Sequence, residues 1–142
     1  MTEARDLIEA VVPLVVAHLA PLQLHGAEAG DAAVRRLARR VGRIDRLVRV
    51  ARADHAGRPP LPAEDFPAGR WLLERARRLE VVAARPEPMV KGRHLQALGL
   101  VPGPQFGPIL EACYEAQLDG AFEDLEGGRD FARAEIARCG DP

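Results

Sequence analysis

Apolar residues that recur every three or four positions constrain this chain more than any other feature. Val34, Leu37, Val41, Ile44, Leu47, Val48 and Ala51 keep that spacing. It places them along one side of an amphipathic helix over residues 32–53, with arginines on the other faces. Asp31 stands where it can cap the start of that helix. Leu7, Val11, Leu14, Val15 and His18 repeat the pattern over residues 3–19, a stretch that Pro13 can divide into two short helices. Trp71, Leu72, Arg75, Leu79 and Val82 are spaced for packing along a helix over 67–84, which Pro86 and Pro88 end. No strand pattern is longer than four residues. The expected fold is all-α.

The downstream third is punctuated differently. A short helix over 92–98 stops at Gly99, and Pro102-Gly103-Pro104 then makes a tight turn. Pro104 suits the first position of a second helix, where a missing N–H costs nothing. That helix runs through Ile109, Leu110, Cys113, Tyr114, Gln117 and Leu118 to Gly120. Gly127-Gly128 is read as a break, and residues 129–139 as a last short helix. Two regions follow: a helical body segment over 1–84, and a small helical tail over 85–142 with a helix–turn–helix corner. Pro59-Pro60-Leu61-Pro62 reads as a linker or extended arm within the first.

With 142 residues, 47% of them hydrophobic and 4% aromatic, the chain can build one domain or two small packed units. Few aromatics and many Ala, Leu and Val favour closely packed helices. No uninterrupted apolar run approaches the roughly 18 residues of a membrane span. Residues 11–22 come nearest, with Pro13 and His18 among them. The first residues lack the basic start and small-residue cleavage site of a signal peptide. Cys113 and Cys139 form no recognised spacing, so a reduced, cytoplasmic chain without membrane contact is expected.

Several chemistries lose their residues. The chain has no Ser and no Asn, and its only Thr is Thr2. A serine nucleophile is therefore excluded. Cys113 sits at an apolar helical spacing, which argues against Cys–His catalysis. His18, His25, His55 and His94 show no metal-finger spacing with one another or with the cysteines. No catalytic residue, metal or cofactor is expected.

The charge pattern is more informative. Residues 31–58 hold nine arginines against three acids, a net +6, whereas residues 99–142 hold three arginines against nine acids, a net −6. A basic block in a chain of net charge −1 fits a polyanion or a solvated face paired with the acidic end. Arg35, Arg36, Arg39, Arg40 and Arg43 are the phosphate-binding candidates there. At the corner, the start of a helix offers unpaired N–H groups. The donors are Gln105, Phe106 and Gly107, because Pro104 and Pro108 have none. Gly103 allows a positive φ or a close approach, and Lys91 and Arg93 add charge nearby. Trp71, Phe106 and Tyr114 can stack on a base, although Trp71 and Tyr114 sit at core spacings.

Val90-Lys91-Gly92-Arg93-His94-Leu95, Leu98-Gly99-Leu100, Pro102-Gly103-Pro104, Gly107, Ile109-Leu110 and Gln117-Leu118-Asp119-Gly120 occur in one order and spacing. On these residues the chain resembles the C-terminal portion of the bacterial CCA-adding enzymes, the tRNA nucleotidyltransferase and poly(A) polymerase family. Upstream, Leu14-Val15 with His18-Leu19, Val34-Arg35-Arg36-Leu37-Ala38, and Arg52-Ala53-Asp54 with Gly57-Arg58 are similar to the end of that family's helical body, often HD-like. The resemblance implies that body and tail grip the acceptor arm and TΨC-side backbone of tRNA while a head domain, in cis or in trans, adds nucleotides. The family's head uses a Gly-Ser motif and an Asp-x-Asp pair for two magnesium ions. Neither motif is present, nor is the His-Asp dipeptide of an HD centre. The expectation is a tRNA-binding part that is inactive alone. Two alternatives stand beside it: a protein-interaction or self-association module, and a residual HD-type phosphohydrolase using His18 and Asp54.

Overall fold

The computed structural model describes residues 2–57 and 66–139, and the 59–62 linker lies outside them. Among the described residues there are eight α-helices and no strand. The expected all-α class holds. Contacts divide the chain into two compact units, Met1–Pro86 and Glu87–Pro142, against the 84/85 boundary expected from the sequence.

The first unit holds α1 (Thr2–Val16), α2 (Ala20–Gly26), α3 (Asp31–Val41), α4 (Ile44–Ala56) and α5 (Pro67–Arg78). Helix α5 packs on α2, α3 and α4, and α1 packs on α3 and α4. Val34, Leu37, Ala38, Ile44, Leu47, Leu72 and Ala76 form the dry centre. Their period of three to four puts each on the inward stripe of its helix, so burial and periodicity share one cause.

Four expectations for this unit need correction. The helix over 67–84 ends at Arg78, well before Pro86 and Pro88. The helix over 32–53 is two helices, because Gly42 takes φ +78° and turns the chain. The same apolar register continues across the corner, which is why periodicity alone did not reveal the break. Asp31 does not cap α3: Gly30 holds that position, and the Asp31 carboxylate accepts hydrogen bonds from Arg75 (2.9 Å) and Arg78 (3.4 Å) instead. Pro13 does not split α1, which runs through it. The first interruption comes at residues 17–19, before α2. By length and composition, Glu3–Gly26 is also apolar enough to cross a membrane, with a mean hydropathy of 1.8 in its most apolar window and 22% of that window buried. Pro13 and His18 interrupt the apolar run without bringing a fixed charge, so they lower the average little.

The second unit holds α6 (Gly92–Ala97), α7 (Phe106–Asp119) and α8 (Leu125–Cys139). Val90, Leu95, Ile109, Cys113, Ala116, Phe122 and Ala132 form its core. Gly120 ends α7 in the left-handed conformation, with Ala121 N–H bonded to Ala116 O at 2.9 Å. Gly127-Gly128 is not a break, since α8 passes through both. A Cβ on Gly128 would lie 2.8 Å from Val90 Cγ2 and 3.0 Å from Phe122 Cε2. That glycine serves close packing rather than a turn.

Candidate nucleic-acid interface

Each unit presents its part of the expected site separately. In the first, Val34, Leu37, Ala38 and Val41 occupy the buried stripe of α3, so Arg35, Arg36, Arg39 and Arg40 must share the remaining arc. Arg36 and Arg40 are exposed, and Arg35 and Arg39 are half-buried. On α4 the buried set is Ile44, Leu47, Val48 and Ala51, which leaves Arg46, Arg49 and Arg52 outward and exposed. Arg43 departs from the expectation. It lies at the corner between the helices and donates to Asp45 through Nε (3.0 Å) and Nη2 (2.7 Å). That fork holds the Asp45 carboxyl below its usual range and spends the geometry a phosphate would use.

Two grooves in this unit gather further arginines. Arg52, Arg70 and Arg77 line one of about 340 Å³ between α4 and α5, over Val48, Phe66 and Leu73 and beside Glu74. Arg43, Arg46 and Arg85 line another of about 310 Å³ with Glu9 and Gly42. There Arg85 Nε donates to Arg39 O at 2.7 Å, near the C-terminus of α3, where a cation is favoured. The spacing of Arg46, Arg49 and Arg52 was readable as an outward row. The contributions of Arg70, Arg77 and Arg85 depend on helix packing and left no sequence signal.

In the second unit the corner differs from its expected form. Helix α7 starts at Phe106 rather than Pro104. Phe106 N–H bonds to Gly103 O at 3.1 Å, and its half-buried ring packs on the core. Phe106 is therefore a structural residue, not a free donor or an exposed stacking platform. Among the described residues Gly42, Gly99 and Gly120 have positive φ, and Gly103 does not. Gln105, Gly103 and Gly107 remain exposed, and a Cβ on Gly107 would meet nothing within 4 Å. Arg93 is exposed on α6, while Lys91 Nζ sits 3.1 Å from Glu87 Oε1.

The rest of the motif works inside the tail. His94 is buried, and its Nδ1 accepts from Lys91 N–H at 2.9 Å. Burial, then the charges of Arg93, Arg129 and Lys91, lower its pKa and favour the neutral ring this bond requires. Gln117 fastens the incoming chain: its Oε1 accepts from Met89 N–H and its Nε2 donates to Glu87 O, both at 2.9 Å. Cys113 is buried and its pKa is pushed up to about 11, chiefly by burial, so it remains a packed thiol. Tyr114 is half-buried. Trp71, in the first unit, is half-buried between the His25 ring, 5.6 Å away, and the Arg75 guanidinium, 5.4 Å from its centroid.

His18 Nε2 approaches Asp54 Oδ2 at 3.9 Å, and His18 Nδ1 lies 2.7 Å from Val15 O. Among the described residues no group of three His, Cys, Asp or Glu side chains can hold a metal ion, so the pair gains no third ligand. Comparison with protein-family models, with curated proteins and with solved structures finds no match.

Proposed function

We propose that this chain is the C-terminal, tRNA-binding portion of a tRNA nucleotidyltransferase or poly(A) polymerase-type machine, with no chemistry of its own. The observation that carries the reading is the outward row of arginines on α3 and α4, set opposite two buried apolar stripes. Such a row attracts phosphates regardless of base sequence. Backbone-directed attraction suits an A-form RNA, whose deep major groove hides its bases from side chains. The tail supports the reading through exposed Gln105, Gly107 and Arg93 at the start of α7 and on α6. In this account the tail clasps a phosphate through the start of α7, and the arginine row of α3 and α4 separately attracts RNA backbone. The catalytic head acts in cis or in trans, in the cytoplasm.

The direct test is tRNA binding by filter retention across a salt series. Wild-type chain is expected to bind, with affinity falling steeply as salt rises. The triple change Arg40→Gln/Arg46→Gln/Arg49→Gln should weaken binding at least about tenfold at low salt and flatten the slope. An unchanged slope would reduce the arginine row to a solvated face. Binding of a DNA duplex as tightly as tRNA would remove the RNA assignment.

A further inference from the structure

Helix α1 presents an apolar face to solvent. Leu7, Ile8, Val11, Val12, Val15 and Val16 are 64%, 60%, 41%, 49%, 53% and 74% exposed. At 100° per residue these six span one half of the helix circumference: Ile8, Val12, Val15 and Val16 turn away from Leu14, and Leu7 and Val11 flank it. Leu14, at 6% exposure, is fixed in the core of the first unit. The second half of α1 is thus apolar on both sides, a pattern that belongs to a helix covered on both sides. The six side chains expose on the order of 500 Å² of aliphatic surface. That lies at the upper end of the largest patch on a typical monomer, about 300–600 Å². It also matches the apolar share of one side of a standard interface, about 800 Å² per partner and slightly more than half apolar.

We infer that this face is a self-association surface, and that a second copy of this chain covers it in a two-fold pair. The area meets what a stable dimer needs. The chemistry suits an identical partner, because residues 10–24 contain no Asp, Glu, Lys or Arg. The Val11–Val16 part of the face meets its counterpart without burying a fixed charge, and Arg5 and Glu9, which flank Leu7 and Ile8, are paired with each other at 3.2 Å. A bilayer is the poorer occupant. Leu14, Ala17 and Ala20 are 6%, 3% and 7% exposed within the core of the first unit, and a spanning helix would withdraw them. The charged start of α1, with Glu3, Asp6 and Glu9 against Arg5, repels an anionic headgroup layer. The surface contains none of the arginines assigned to RNA, so the inference stands apart from the proposed function.

The test is the solution mass of the full chain by light scattering and sedimentation equilibrium at about 1–100 μM. Wild type is expected at twice the 15.4 kDa chain mass. Ile8→Glu/Val15→Glu should return the monomer with unchanged helical circular dichroism, since both side chains are exposed in the single chain. If that variant fails to fold, Leu7→Ser/Val16→Ser alters the two most exposed positions without adding charge and should shift the dimer constant at least tenfold. A wild-type monomer at 100 μM, a ladder of larger species, or a dimer indifferent to both variants would overturn the proposal. So would flotation of a monomeric wild type with phosphatidylcholine vesicles, which would give the face to lipid. The tRNA affinity of a variant that dissociates should stay within about twofold of wild type, so that failure here and failure of the RNA reading can be told apart.

Discussion

Gln117 shows how one side chain can decide where a chain goes. Its amide satisfies a backbone N–H and a backbone C=O of the incoming segment, at Met89 and Glu87. Neither apolar packing nor helix propensity supplies those bonds. Gln117→Ala should cost the tail about 1–2 kcal/mol, because the half-buried Met89 N–H and the exposed Glu87 C=O both lose their partner, as read by urea unfolding of the full chain. His94 adds a pH dependence. Its folded pKa lies below the ordinary histidine value, so the unfolded chain binds more protons as the pH falls through about 6.5. Stability from the neutral ring is complete above that range and is lost progressively below it. The urea midpoint at pH 5.5 should therefore be lower than at pH 7.5, and His94→Gln should narrow the difference. An equal drop in the variant would assign the effect to other groups.

Helices here end and meet at glycines with distinct tasks. Gly42 and Gly120 turn the backbone at positive φ, Gly128 lets α8 approach Val90 and Phe122, and Gly107 faces open space. Gly128→Ala should destabilise the tail by about 1–3 kcal/mol through overpacking, with the unfolding midpoint as readout. Gly107→Ala should instead leave stability unchanged or raise it by up to about 1 kcal/mol, since alanine is the better helix former and nothing obstructs its methyl. If an RNA backbone approaches α7 there, the same change weakens tRNA binding. Loss of binding without loss of stability separates a contact position from a packing one. The sequence marked both places with glycine and could not distinguish their reasons. Gly127-Gly128 reads as a break because glycine usually ends helices, yet close packing of a helix against the Val90 and Phe122 side chains calls for the same residue.

Across the whole molecule, charge and apolar surface are divided among different elements. The basic row lies on α3 and α4, the acidic residues gather in the last two helices, and the open apolar face belongs to α1. A net charge of −1 gives no general attraction to RNA, so the proposed binding rests on the local concentration of arginine. Each phosphate contact removed should lower the magnitude of the logarithmic salt slope by about 0.7–0.9. The three-arginine variant is thus expected to lose about 2–3 from that slope in the filter-retention series.

Periodicity was enough to determine the all-helical class, the inward residues of α3 and α4, and the punctuation around Gly99 and Gly120. Those features follow from local geometry, because a 3.6-residue repeat and a left-handed glycine act within a few residues. The break at Gly42 escaped it, since the apolar register continues unchanged through the corner. Tertiary structure alone decided which polar groups were already spoken for. Asp31 serves Arg75 rather than its own helix, the Arg39 carbonyl takes Arg85, and Gln117 takes the Met89 N–H. It also left the far side of α1 uncovered. Such outcomes depend on which groups from distant parts of the chain arrive within 3 Å, and spacing along a sequence carries no record of that distance.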